Sequence, residues 1–373
     1  MIVDWYRHGH EHRNDMLRFG FMRLHRAGEI TYREHALPEC RAAGFSAETA
    51  AHDHRHTSIF AIRSGSQVKR IVVDSEDSFF WMAPLVRDCD LYFCAGYSPS
   101  LFEERRFITP YAWQTEVEIA FYRDRADWLI ASYGELFGRI KPYVPIAPNM
   151  GRRNPPGRLN SKLRNLRHKL AKRLKRDRDW HHDDVDFEVR YAELLSYRNA
   201  VQQSDIVLLD SLWGWPRHRV ALHEQLRRLS ARYAIHSRLN WSPPYACDAG
   251  DRSGLVKGDF PMVIGAVSDY ETMLSQSRLG TFATGFHYGW RNIMTAALMI
   301  GLPVLTDRLI VQPWFDMKVF DFAETDSYGL GDIEAVLARY PTERLAQVKA
   351  RNQAAFDRYL SPQAMAHYVL SAA

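Results

Sequence analysis

The chain reads as a two-domain α/β protein built on parallel sheets, and three observations predict this. Its 373 residues, 46% of them hydrophobic, exceed what one core usually supports, so two domains of roughly 150–200 residues are expected. Short β-branched runs alternate with helix-length segments in both halves. At residues 270–314 a glycine-bounded loop leads into an apolar helix and then a short strand. That order presents backbone N–H groups to an anion at the positive end of a helix dipole, and a phosphate or diphosphate is the natural occupant. The expected division is a first domain at residues 1–150, a basic helical linker at 151–182, a second domain at 183–345 and a C-terminal helix at 346–373.

In the first domain, residues 68–74 (VKRIVVD) form a β-branched run bounded by Ser-Gly and Ser-Glu-Asp-Ser, and residues 90–93 (DLYF) form a second. The intervening FFWMAPLVRDC has the length of one crossover helix. Strand, crossover, strand predicts a parallel pair, with the turn Asp74-Ser75-Glu76-Asp77 at a carboxyl end, where open α/β sheets place ligands. Pro148-Asn149-Met150-Gly151 is a loop signal that closes the domain.

The basic segment that follows carries leucines at 159, 163, 166, 170 and 174, spaced by three and four, among eight lysines and arginines between 162 and 176. A helix over residues 158–178 would therefore be basic and amphipathic. Its stripe suits a solvated helix packed on the core, an anionic membrane surface, or nucleic acid. Without interleaved aromatics to stack on bases, the membrane ranks above nucleic acid. Beyond it, residues 183–203 have a mixed-charge helical pattern, 206–209 (IVLL) form a strand ending at Asp210, 217–232 are helical in pattern and 233–236 form a short strand. Residues 240–262 lack periodicity and read as a long surface loop; residues 332–373 read as helices alone.

Composition excludes several classes. No run of about 18 uncharged apolar residues occurs, and the N-terminus carries charges where a leader would need an apolar stretch, so a cytoplasmic location is expected. Cys40, Cys89, Cys94 and Cys247 form neither a CxxC pair nor a disulfide framework, which fits a reducing compartment. Walker, GxGxxG and GxSxG motifs are absent, and no cofactor is expected. The runs His8-Gly9-His10-Glu11-His12 and His52-Asp53-His54-Arg55-His56 would need further ligands from elsewhere to hold zinc, so no metal site is expected.

Charge assigns roles around the loop. Arg291 offers a fork of donors to a phosphate, or an ion pair at a helix start. His287 can donate to the same phosphate, protonate a leaving group, or sit buried against backbone. Gly285 and Gly289 allow close approach or make a turn. Trp290 stacks on a base or forms a wall, and Asp307, at a strand end, meets ribose hydroxyls or caps the structure.

Residues 270–314 resemble the donor-binding half of glycosyltransferases of the GT-B fold, more narrowly the exostosin-like and bacterial surface-polysaccharide transferases. Ser277, Gly285, Trp290, Arg291, Ala296, Ala297, Leu298, Gly301, Pro303 and Val304 carry the match. Residues 71–94 are similar to the N-terminal half of those bacterial enzymes. The resemblance implies two Rossmann-like domains facing a cleft. It implies transfer of a sugar from a nucleotide-sugar donor on the C-terminal domain to a glycan or lipid-linked acceptor on the N-terminal domain, in surface-polysaccharide or glycoconjugate synthesis and without a metal. The implied donor-binding set is Gly285, Tyr288, Gly289, Trp290, Arg291, Asn292, Thr295 and Asp307. Where retaining members carry a glutamate pair, this chain has Thr284, Asn292 and Thr295. An inverting reaction needs an acceptor-side base, for which Asp74, Glu76, Asp77 and Asp210 are the candidates, with His287 as a further catalytic group. The alternatives are a nucleic-acid-associated protein, including a DNA-modifying glycosyltransferase, and a non-catalytic sugar-nucleotide binding module.

Overall fold

The computed structural model describes residues 1–8, 11–54, 56–76, 78–143, 150, 180–212, 215–240 and 270–373. The basic helix expected at 158–178, nearly all of the loop at 240–262, and Asp77 lie outside the described residues.

The first sheet has six strands, β1 (Ile2–Arg7), β2 (Thr31–Ala36), β3 (Thr57–Ser64), β4 (Gln67–Asp74), β5 (Leu91–Cys94) and β6 (Ile140–Pro142), in the order β2-β1-β3-β4-β5-β6. Helix α1 (Asp15–Arg26) links β1 to the parallel β2. A two-residue turn, with Gly65 at φ 59°, folds β3 back onto β4 as an antiparallel hairpin, the use to which glycine is suited. Strands β4 and β5 run parallel, as the strand–crossover–strand pattern predicts, and β6 adds a third parallel strand that the sequence did not signal. The crossover itself departs from expectation: it is two 3-10 turns, Phe79–Trp81 and Pro84–Asp88, rather than a helix. Pro84 forces Ala83 into an extended conformation (φ −68°, ψ 143°) and interrupts any helix at that point. The short helices α2 (Ala47–Ala51) and α3 (Pro99–Phe102) and the long α4 (Glu116–Tyr133) complete this half.

After α5 (His181–Ser196), the second sheet is wholly parallel: β7 (Ser204–Ser211), β8 (Ile235–Asn240), β9 (Ser277–Phe282), β10 (Val304–Asp307) and β11 (Phe322–Thr325), in the order β11-β10-β9-β7-β8. Helix α6 (Pro216–Leu229) follows β7, α7 (Tyr270–Ser275) precedes β9 and α8 (Asn292–Ile300) connects β9 to β10. The chain first grows the sheet outward from β7 to β8, then crosses back and grows it through β9 in the opposite direction. The order reverses between β7 and β9, the point at which open α/β sheets place ligands outside the carboxyl ends of their strands. Gly301 ends α8 in the left-handed region at φ 98°, a C-terminal cap that glycine adopts without strain.

Helices α9 (Ile333–Arg339), α10 (Thr342–Tyr359) and α11 (Pro362–Ala372) finish the chain. The last one returns to the first half and packs on α1. A Cβ added at Gly20 would lie 2.0 Å from the Pro362 carbonyl oxygen, so this crossing depends on glycine. Tyr368 donates to Pro142 O (2.7 Å) and stacks on Trp314 at 4.2 Å, and one continuous core spans both halves. Among the described residues no helix is long and apolar enough to cross a membrane.

Candidate active site

The reversal point of the second sheet holds a buried charge cluster. Asp210, the penultimate residue of β7, accepts a hydrogen bond from Arg291 and lies 3.4 Å from Arg219 Nε. Arg219, wholly buried on α6, also donates to Ser211 O (2.6 Å) and Thr284 O (2.8 Å). It thereby ties the end of β7 to the loop after β9. Among the described residues, two guanidiniums face this one carboxylate, where the side chains are 0–17% exposed. Arg291 stands at the N-cap of α8, and its Nε is buried with no hydrogen-bond partner among the described residues. The guanidinium is thus aimed by Asp210 while keeping donors for a ligand at a helix N-terminus. Asp210, a candidate base in the sequence, is placed as the counter-ion that positions Arg291.

The loop preceding Arg291 is wound tightly. Gly285 N–H donates to Gly289 O at 2.6 Å, and a Cβ at Gly285 would lie 2.3 Å from that oxygen. His287 and Tyr288 both take left-handed φ values, 49° and 66°, a conformation non-glycine residues adopt at a cost. Contacts from the first half hold them there. Tyr122 on α4 hydrogen-bonds His287 Nδ1 (2.7 Å), Ser78 donates to the His287 carbonyl (3.3 Å), and Gln114 donates to the Tyr288 hydroxyl (2.6 Å). His287 is 1% exposed. Burial, with a smaller contribution from Arg125, lowers its pKa to about 3, so its imidazole is neutral near pH 7 and acts as a hydrogen-bonding group.

Several sequence candidates sit behind this surface. Trp290 is 2% exposed and donates from Nε1 to the Thr295 hydroxyl (3.1 Å), so this pair props the start of α8. Asn292 accepts from Ile293 N–H (2.9 Å). Asp307 is buried, accepts from Thr284 N–H (2.7 Å), and its two oxygens lie 2.9 and 3.1 Å from His218 Nε2. His218 Nδ1 accepts from Gly329 N–H (3.1 Å), which puts the ring proton on Nε2 and directs it to Asp307.

At the carboxyl end of β4, Asp74 is 2% exposed and accepts from the Tyr92 hydroxyl, Ala83 N–H (3.1 Å) and Glu76 N–H (2.9 Å). Burial nonetheless raises its carboxyl above the usual range. Glu76 meets His56 Nε2 at 3.2 Å on the same edge. The turn carrying these carboxylates reaches the loop after β9 through Ser78.

Sequence reasoning passed over Arg219, His218, Tyr122, Gln114 and Ser78. Arg217-His218-Arg219 sits in an amphipathic helical pattern that reads as a solvated face. The available signal was Pro216 as a helix start directly after β7, which places the next residues beside the carboxyl ends of the strands.

No protein-family model and no curated protein matches the chain. Among solved structures it is similar to the Anabaena HepE protein in complex with UDP and glucose, at 12% identity and TM-score 0.38, covering 100% of this chain and 98% of that one. It is similar to the E. coli trehalose-6-phosphate protein bound with UDP-2-fluoro glucose, at 14% identity and TM-score 0.37, covering 79% of this chain and 64% of that one. A third is sucrose-phosphate synthase from Thermosynechococcus elongatus, at 11% identity and TM-score 0.35, covering 76% and 68%. The chain spans 36% of a further similar structure, the GtfA/B complex. The architecture is α/β with two separate parallel-rich sheets, as the sequence predicts.

Proposed function

We propose that the protein is a glycosyltransferase that takes a sugar from a nucleotide-sugar donor and passes it to a glycan or lipid-linked acceptor. The observation that carries this reading is Arg291. It sits at the N-cap of α8, at the reversal point of the second sheet, aimed by a buried carboxylate and holding a buried Nε with no partner among the described residues. A diphosphate there meets a guanidinium fork, the first amides of α8 and the backbone of the Gly285–Gly289 loop, which passes close because neither glycine carries a side chain. These groups act on the charge that develops on the leaving diphosphate as the glycosidic bond breaks, with no metal ion required. Tyr288 and neutral His287 shape the loop. Trp290, Thr295, Asn292 and Asp307 hold its frame.

On the acceptor side, Glu76, paired with His56 at the end of β4, is the carboxylate we assign to removing the acceptor hydroxyl proton, with Asp74 fixing the turn. The enzyme would work in the cytoplasm on surface-polysaccharide or glycoconjugate precursors.

Thermal unfolding with UDP, GDP, ADP and their sugar conjugates tests the reading, since a ligand of the folded state raises the midpoint by mass action. Stabilisation by one nucleotide family, lost in Arg291→Ala while the unliganded midpoint stays near that of the parent, is expected. Equal stabilisation of Arg291→Ala would remove the diphosphate clamp, and no response to any of them would remove the donor.

A further inference from the structure

Helix α4 carries two apolar stripes, and only one is buried. Tyr122, Ala126, Leu129 and Tyr133 recur at helical spacing and face the core. Val117, Phe121, Arg125 and Trp128 fall on a second face, with Val117 58% and Trp128 45% exposed. Trp81, 38% exposed, joins this second stripe from the neighbouring turn. Among the described residues Trp81 and Trp128 are the tryptophans that stand exposed, and they occupy one patch.

The patch is built rather than incidental. The Arg125 guanidinium lies 5.1 Å from the Trp81 ring and 4.1 Å from the Trp128 ring. Its Nε and Nη2 both donate to Phe80 O, at 2.9 and 2.7 Å. That fixed plane locks both indoles, so a ligand stacking on them loses little side-chain entropy. The patch also continues into the site. The Trp81 ring lies 5.6 Å from the His287 ring and Phe121 lies 6.4 Å from it. From the donor loop, the track runs outward through Trp81 and Arg125 to Trp128.

We infer that this track binds the acceptor as an extended oligosaccharide, its sugar rings lying on the two indoles with the growing end at the donor loop. The inference rests on the transferase reading above and names its acceptor class. Pyranose rings present apolar C–H faces that suit aromatic planes, and hydroxyl edges that suit carboxylates. The same helix supplies exposed carboxylates beside the stripe, Asp124 and Asp127. Glu116, Glu118, Asp124 and Asp127 outnumber Arg123 and Arg125 on α4. That balance disfavours an anionic bilayer, which would otherwise suit exposed tryptophans.

The test is a printed glycan array probed with the labelled full-length protein, followed by fluorescence titration with the best-bound oligosaccharide. Trp128→Ala should weaken binding about tenfold or more and Trp128→Phe should keep most of it. Stabilisation by UDP, GDP or ADP should be the same in all three proteins. Array binding that survives Trp128→Ala, or no array binding by the parent, overturns the inference. So does loss in Trp128→Ala of binding to phosphatidylcholine–phosphatidylglycerol vesicles by a parent that ignores the array, which would make the stripe a membrane contact. Absence of any nucleotide response in the parent would instead sink the donor reading and leave the array result to decide the track on its own.

Discussion

Replacing Asp210 with asparagine tests the charge cluster at the heart of the site. The substitution keeps the shape of the side chain, so no cavity opens, but it removes the only carboxylate that faces both Arg219 and Arg291 in the described structure. Removing one partner of a buried ion pair typically costs about 3–5 kcal/mol. Arg219 keeps its bonds to Ser211 O and Thr284 O at 2.6 and 2.8 Å, and Arg291 retains 17% exposure to water. Both facts place the expected loss at the lower end, about 3 kcal/mol. Urea unfolding at pH 7 with linear extrapolation measures it, with an unchanged slope showing that the fold itself is retained. Inorganic phosphate should then stabilise the variant more than the parent, because an anion can replace the missing charge. A ligand present at 100 times its Kd contributes about 2.7 kcal/mol. A loss below about 1 kcal/mol, or equal phosphate stabilisation of both proteins, would refute the idea that Asp210 supplies the two guanidiniums with a negative charge that an anion can replace.

Three further outcomes follow from particular distances and burials. In Gly285→Ala the new Cβ would meet Gly289 O at 2.3 Å, so the loop must shift. We expect about 1–3 kcal/mol of destabilisation together with loss of nucleotide-induced stabilisation; a variant that keeps the full ligand shift contradicts close approach by the loop. Gly20→Ala would drive a methyl to 2.0 Å from Pro362 O and should separate α1 from α11. A lower urea midpoint and faster proteolytic release of the C-terminal helix are expected, and an unchanged midpoint would show that this crossing is slack. For His287, a pKa of about 3 in the folded protein against 6.5 for the free side chain means that the unfolded state takes up the proton first on acidification. Its contribution is complete above about pH 6.5 and is lost progressively as pH falls toward 3. Between pH 7 and pH 5 the parent should therefore lose about 2 kcal/mol more stability than His287→Asn, whose side chain stays neutral and tolerates a left-handed backbone. Parallel pH profiles would show that His287 is not held neutral.

The site was legible where its chemistry is local in sequence. The order of strand, loop, helix and strand at 270–314, with Gly301 as the left-handed cap, is written in spacing and in two residue types whose backbone preferences are strong. The first 64 residues offered no comparable signal, since β1 is buried on both faces and does not alternate, and its partners β2 and β3 are found by packing. The crossover at 79–89 has the length of a helix, while Pro84 and the burial of Phe79 and Phe80 decide for two tight turns. The partners of the loop were hidden by distance along the chain. Asp210 and Arg291 are separated by 81 residues, and Tyr122 and His287 by 165. A charge pattern on a single helix cannot distinguish Arg219, which is wholly buried, from Arg217 two positions earlier, which borders solvent. Topology makes the distinction. The sheet reverses between β7 and β9, so the first turn of α6 and the loop before α8 are brought together, and the guanidinium that bridges their strands must be buried. The exposed indole on α4 is the converse case, since packing alone would favour placing Trp128 with the buried stripe one position further on. Burial of Arg219 and exposure of Trp128 both run against what their residue types favour.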